Sequence, residues 1–237
     1  MSCIIHIETS TSVCSVALSA GGGVFFEKAS FEGPSHAALL GIFVEEALAL
    51  LSREALSPDA VAVSSGPGSY TGLRIGVSLA KGLCFGYRIP LIGVPTLEIL
   101  AAAAIAQIPP TDGGELYCPM LDARRMEVYA ALFDRNRQPV RETAADIVTA
   151  DTYAAFLDRH RVCFFGNGAA KCRDVITSPN AVFIDGIHPL AADMIPLAEA
   201  LYRAGQFADT AYFEPFYLKE FMATKAKNKI PANNNTV

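Results

Sequence analysis

SSGPGSYTGLRIGVSLAKG, residues Ser64 to Gly82, begins like a phosphate loop and continues like a helix. A Walker-type loop needs a lysine directly after its glycines to neutralise phosphate. None stands there: Arg74 is the nearest cation, and Lys81 lies more than two helical turns further on. Instead Gly68, Gly72 and Gly76 recur every four residues, with Ala80 in step. Residues four apart form one ridge of a helix. Each glycine inside a helix costs ~1 kcal/mol relative to alanine, so some close neighbour must offset it. That neighbour is either the protein's own sheet or the backbone of a second chain, and both can hold on opposite sides of the helix.

Outward from this stretch the pattern is α/β. CIIHIETS, CSVALSA and GVFFEKASF are apolar, β-branched runs separated by short turns, which predict a three-strand meander. SHAALLGIFVEEALALLSR has apolar residues at helical spacing, with Ser35 as its cap. AVAVSS predicts a strand before the glycine helix. IPLIGV predicts another, and Thr96 is placed to cap the helix LEILAAAAIAQI. After the linker IPPTDGGE (108–115) the opening pattern returns. LYCPMLDARR ends in Asp122 where the first strand ended in Glu8; MEVYAALFD and QPVRETAADIV follow as second and third strands. A helix over 152–160, the strand VCFFGNG and a helix over 191–204 complete the second half. The fold expected is two duplicated β-β-β-α-β-α lobes, 1–107 and 108–218, side by side around a cleft, followed by a flexible tail over 219–237. In open α/β sheets the functional loops sit at the carboxyl ends of strands.

Bulk composition narrows the function. Of 237 residues, 51% are hydrophobic and 18% charged, which excludes a disordered chain. Mean hydropathy of +0.31 implies a very complete core or apolar surface that a partner covers. A net charge of −5 disfavours unaided RNA binding. The six cysteines form no CxxC pair and read as reduced thiols of a cytoplasmic protein. No signal peptide or membrane-spanning segment is predicted.

A duplicated unit with an acid closing each first strand resembles the actin-like ATPase fold. IETSTSVCSVAL, SHAALL, SSGPGSYTGLRIGVSLAKGL, IGVPTLEIL, LDARRMEVYAALF, GNG and EPFYLKE occur in the order seen in the bacterial TsaB (YeaZ-like) family. That resemblance covers nearly the whole chain, and its GPGSYTGLRIG block is highly specific. It implies a non-catalytic scaffold in tRNA threonylcarbamoyladenosine synthesis. The chain would pair through its N-terminal half with a TsaD-like catalytic paralogue, alongside a TsaE-like ATPase, and would form a homodimer in isolation. Contact with tRNA would be indirect, through the complex.

Since relatives pair through this region, the glycine helix is expected to face another chain. The interface residues are His36, Leu39, Leu40, Phe43, Gly72, Ile75, Gly76, Leu79 and Leu83. The catalytic relatives carry two histidines one helical turn apart for a metal. Here His36 stands alone, so no metal site and no catalytic residue is assigned. A nucleotide cleft is the weaker expectation, from Glu8, Thr9, Ser10, Thr11, Gly66, Gly68, Ser69, Asp122 and Arg124. The hydroxyls among them also read as turn chemistry. No cofactor is required by the chain alone, which leaves ATP or ADP with magnesium to the complex. Arg124 and Arg125 sit at a strand-to-strand turn expected to face the cleft, with plain surface charge as the other reading. The tail, basic through Lys219, Lys225, Lys227 and Lys229, is a candidate contact for tRNA phosphate in the complex. The alternatives are a sugar-kinase-type phosphotransferase and a glycoprotease-like peptidase.

Overall fold

In the computed structural model, residues 2–33, 36–110 and 114–218 are described. The Ser35 cap, the middle of the 108–115 linker and the tail with its four lysines lie outside them. The order is β1 (Cys3–Glu8), β2 (Cys14–Ala20), β3 (Gly23–Ser30), α1 (His36–Arg53), β4 (Ala60–Gly66), α2 (Tyr70–Tyr87), β5 (Leu91–Pro95) and α3 (Thr96–Gln107). There follow β6 (Leu116–Asp122), β7 (Glu127–Phe133), β8 (Pro139–Ile147), α4 (Ala154–Leu157), β9 (Val162–Phe165), β10 (Ala181–Ile184) and α5 (Ile195–Arg203).

The first sheet runs β3-β2-β1-β4-β5 and the second β10-β9-β6-β7-β8. In each, a meander is antiparallel, and its first strand pairs in parallel with the strand after the crossover. The order is the same in both halves, so the duplication is real and the fold is actin-like. Two elements differ from the sequence reading. The helix over 152–160 contracts to the four residues of α4, and β10 was not anticipated although AVFI carries the signal.

Strand alternation explains the near-continuous apolar runs. On one face of the first sheet, Ile5, Ile7, Val16, Leu18 and Val61 pack under α1 and α2. On the other, Ile4, Ala60, Ala62, Ile92 and Val94 meet Ile99 of α3 and Met194 and Ala198 before and within α5. Helix α3 also covers the second sheet, with Leu97, Leu100, Ala101 and Ala104 against Tyr117, Leu121, Cys163 and Phe165. A helix buried on two sides is apolar all round, as LEILAAAAIAQ is. Pro95, rather than Thr96, stands at its cap. Thr96 is the first helical residue, and its buried hydroxyl has no hydrogen-bond partner among the described residues.

The lobes are not divided by sequence position alone. The segment after α5 returns to the first lobe: Ala208 bridges Leu91, Phe213 fills the space beside Gly93, and Phe216 N donates to Ser65 O at 2.7 Å. The first lobe is therefore completed by residues that the sequence reading placed in 108–218. Among the described residues no helix is long and apolar enough to cross a membrane.

Candidate functional site

Ser69 caps α2, accepting the Gly72 amide at 3.2 Å, and the β1–β2 loop closes against the same turn. Ser69 N donates to Ser10 O at 2.6 Å, and Thr9 Oγ1 donates to Gly72 O at 2.8 Å. This contact decides the glycine question. A Cβ on Gly68 would stand 2.4 Å from Ser10 O, one on Gly72 2.1 Å from Thr9 O, and one on Gly76 2.3 Å from Thr9 Oγ1. The ridge is filled by the protein's own loop. The expectation that Gly72 and Gly76 offer bare backbone to a second chain is therefore corrected: both are buried, and the occupant is Thr9. Leu40 and Phe43 are likewise core residues. His36 is 6% exposed, and its Nε2 donates to Val13 O at 3.1 Å. Leu39, Ile75, Leu79 and Leu83 remain half-buried along the outer edge of α1 and α2.

The carboxyl ends of β1, β4, β6 and β9 open on a cleft of about 990 Å³ between the lobes. Ser10, Thr11, Gly68, Ser69, Asp122 and Arg124 line it, joined by Ser12, Arg125, Asn167, Phe216 and Tyr217. Glu8, Thr9 and Gly66 from the anticipated set do not. Glu8 is fully buried behind the loop. Its Oε1 accepts the Ser10 amide, while its Oε2 and the Ser10 hydroxyl have no partner among the described residues. Burial pushes the Glu8 carboxyl up to about 7, against the pull of the hydrogen bond from the Ser10 amide. Nearby, burial pushes Asp193 up to about 6, and His6, hydrogen-bonded to Ser19 at 2.9 Å, down to about 3.

The second lobe treats its acid differently. Asp122 is exposed, accepts the Arg124 amide at 2.9 Å and pairs with Lys171, which also donates to Glu127 O. Asn167 in GNG accepts the Asp122 amide at 2.9 Å. A Cβ on Gly168 would stand 2.8 Å from Leu121 C, so this motif is a close approach to β6 rather than an adenosine loop. The turn after Asp122 holds Arg124 and Arg125 at φ 71° and 49°. The left-handed region costs about 1–2 kcal/mol for a residue with a side chain such as arginine. Both side chains are exposed at the cleft and have no hydrogen bond or ion pair among the described residues.

A magnesium nucleotide of the kind an actin-like fold holds needs an acid and hydroxyls free to face the cleft. The first-strand acid faces the core, the Thr9 hydroxyl is engaged with Gly72, and Asp122 is neutralised by Lys171. The set does not fit magnesium on this chain alone, and no chemical step is derived through it.

The chain matches the family model described as TsaD, tRNA N6-adenosine threonylcarbamoyltransferase, over residues 8–226. It is 32% identical over 231 residues to the tRNA threonylcarbamoyladenosine biosynthesis protein TsaB of Escherichia coli, covering 94% of this chain and 96% of that one. The chain belongs to the TsaB family. TsaB of Haemophilus influenzae is 29% identical to this TsaB-family chain, with 94% and 95% covered. A stretch of 93 residues is 44% identical to a tRNA N6-adenosine threonylcarbamoyltransferase of Anaeromyxobacter dehalogenans, 38% of this chain and 26% of that protein. Among solved structures, YeaZ from Pseudomonas aeruginosa superposes with a TM-score of 0.73 at 28% identity, covering 92% of this TsaB-family chain and all of YeaZ. A second Pseudomonas aeruginosa structure, of an uncharacterized protein with similarity to peptidase YeaZ, gives 0.78 at 26% identity with the same coverage.

Proposed function

We propose that this chain is a non-catalytic subunit of the cytoplasmic machinery that makes tRNA N6-threonylcarbamoyladenosine, docking on a TsaD-type catalytic paralogue. The observation that carries the reading is the outer face of α1 and α2. Leu39, Ile75, Leu79 and Leu83 are half-buried there, and Ile42 on α1 stands 49% exposed. A Cβ at Gly41 or Gly82 would meet nothing within 4 Å, so these two glycines, not Gly72 and Gly76, leave room for a second pair of helices. Small residues along a helix let another backbone approach closely. Burying this apolar edge favours whichever partner conformation complements it. Without the paralogue the same face supports a homodimer. The chain turns over no substrate alone; a TsaE-type ATPase, any ATP or ADP with magnesium, and the tRNA itself enter through the complex.

Co-purification of the full chain with the TsaD-type paralogue tests this. Gly82→Arg fits the free chain, because its Cβ faces open space, yet it obstructs the face. Pairing is expected to fall at least about tenfold, a loss of about 1.4 kcal/mol. Pairing equal to wild type sinks the assignment. Gly76→Arg is no substitute, because Thr9 occupies the space it needs.

A further inference from the structure

We propose that the cleft between the lobes binds a phosphate-type oxyanion through Arg124 and Arg125, with no metal ion. Three observations converge on these side chains. First, the backbone holds two successive arginines in the left-handed region, at φ 71° and 49°, where asparagine or glycine would sit with less strain. Such outliers persist where the surrounding structure holds them for a purpose. Second, the local charge opposes that of the whole molecule. The chain carries −5 overall. At the cleft, Asp122 is neutralised by Lys171, and Glu127 is half-buried at the foot of the same hairpin. The charged lining residues themselves, Asp122, Glu127, Arg124 and Arg125, sum to zero, and Lys171 against Asp122 brings the locale to one positive charge. Third, the opposite wall presents the Ser12 and Thr71 hydroxyls beside the start of α2, and the rings of Tyr70 and Tyr217, centroids 5.1 Å apart, with the Arg74 guanidinium over Tyr70 and its Nε donating to the Tyr217 hydroxyl at 3.2 Å.

Guanidinium groups in such a setting match the planar oxygen pairs of a phosphate. The phosphate comes either from a free small molecule or from an RNA backbone. The aromatic wall would additionally stack an unpaired base in the second case. The docking face around Ile42 and Gly82 takes no part, so failure here leaves the proposed subunit role standing.

The test is calorimetric titration of the full chain in EDTA at low salt, with inorganic pyrophosphate and, separately, with a short single-stranded RNA. At least one probe is expected to bind the wild type, and the probe that binds identifies the source. Binding is expected to weaken at least about tenfold in Arg124→Asn/Arg125→Gly, which also relaxes the turn, and in Arg124→Gln/Arg125→Gln, which does not. It is expected to stay unchanged in Arg173→Ala, which removes an exposed arginine paired with Asp185 elsewhere. No binding of either probe, undiminished binding in both double variants, or equal loss in Arg173→Ala overturns the proposal.

Discussion

Glu8 and Asp122 end equivalent strands of two equivalent sheets, yet one is sealed in the core and the other stands at the cleft. The cause lies in the loops that follow. After β1 the chain turns back on α2, and Thr9 and Ser10 fill the notches left by Gly68, Gly72 and Gly76. That closure draws Glu8 inward with a single amide for company. After β6 the turn is short and kept open by two arginines, so Asp122 stays in solvent beside Lys171. Duplication preserved the frame while the chemistry at the two strand ends diverged.

The sharpest way to break this comparison is Gly72→Ala. Its methyl would overlap the Thr9 carbonyl, a backbone atom with little room to yield. Urea unfolding is expected to show a loss of about 3 kcal/mol or more. Gly82→Ala, on the same helix but facing open space, should gain about 1 kcal/mol. A neutral Gly72→Ala would mean that the loop does not grip the helix.

Glu8→Gln comes next. The native carboxyl sits near 7 against an ordinary 4.5, so between these values the folded state holds a proton that the unfolded chain has lost. Wild-type stability relative to the Gln variant is therefore full below about pH 4.5. It falls by roughly 2–3 kcal/mol as pH rises to 7, and is flat beyond. His6, whose buried ring acts in the opposite sense below its ordinary value, is present in both proteins and cancels in the difference, whereas the charge of Asp193 contributes to raising Glu8 and so is part of what the difference reads. Unfolding of both proteins at pH 4.5 and 7.5 measures it; a pH-independent difference would place Glu8 in water.

Smaller effects belong to the second lobe. Arg124→Asn/Arg125→Gly should raise stability by about 1–2 kcal/mol by thermal or urea unfolding, since the left-handed turn no longer opposes its side chains. Asp122→Asn should change stability by less than about 1 kcal/mol, because an exposed ion pair contributes little. A larger loss there would mean that the two strand ends are more alike than their burial indicates.

Much of this frame was legible in the sequence because apolar runs and turn residues report both faces of a sheet. The meanders, α1 to α3 and the duplication all followed from that pattern. The glycine ridge was legible as a close contact but not in its partner: small residues state that something approaches, and Thr9, over sixty residues earlier, carries no mark of being that something. The inward turn of Glu8 was hidden for the same reason. Arg124 and Arg125 announced charge, but arginine is not a left-handed residue by habit, so only coordinates reveal their backbone. α4 fell short because the helical pattern over 152–160 is satisfied by one turn holding Tyr153 and Leu157 against the sheet.

The return of residues 192–218 to the first sheet makes the second lobe a long excursion inside the first. A ribosome therefore releases β1 to β5 with Ile4, Ala60, Ile92 and Val94 bare on one side. Ile99 of α3 covers part of that side at once, but the rest waits until some hundred further residues have been synthesised and Met194 and Ala198 can reach it. The half that is made first is the half that matures last, and a nascent chain halted before α5 carries an exposed greasy sheet for chaperones to shield.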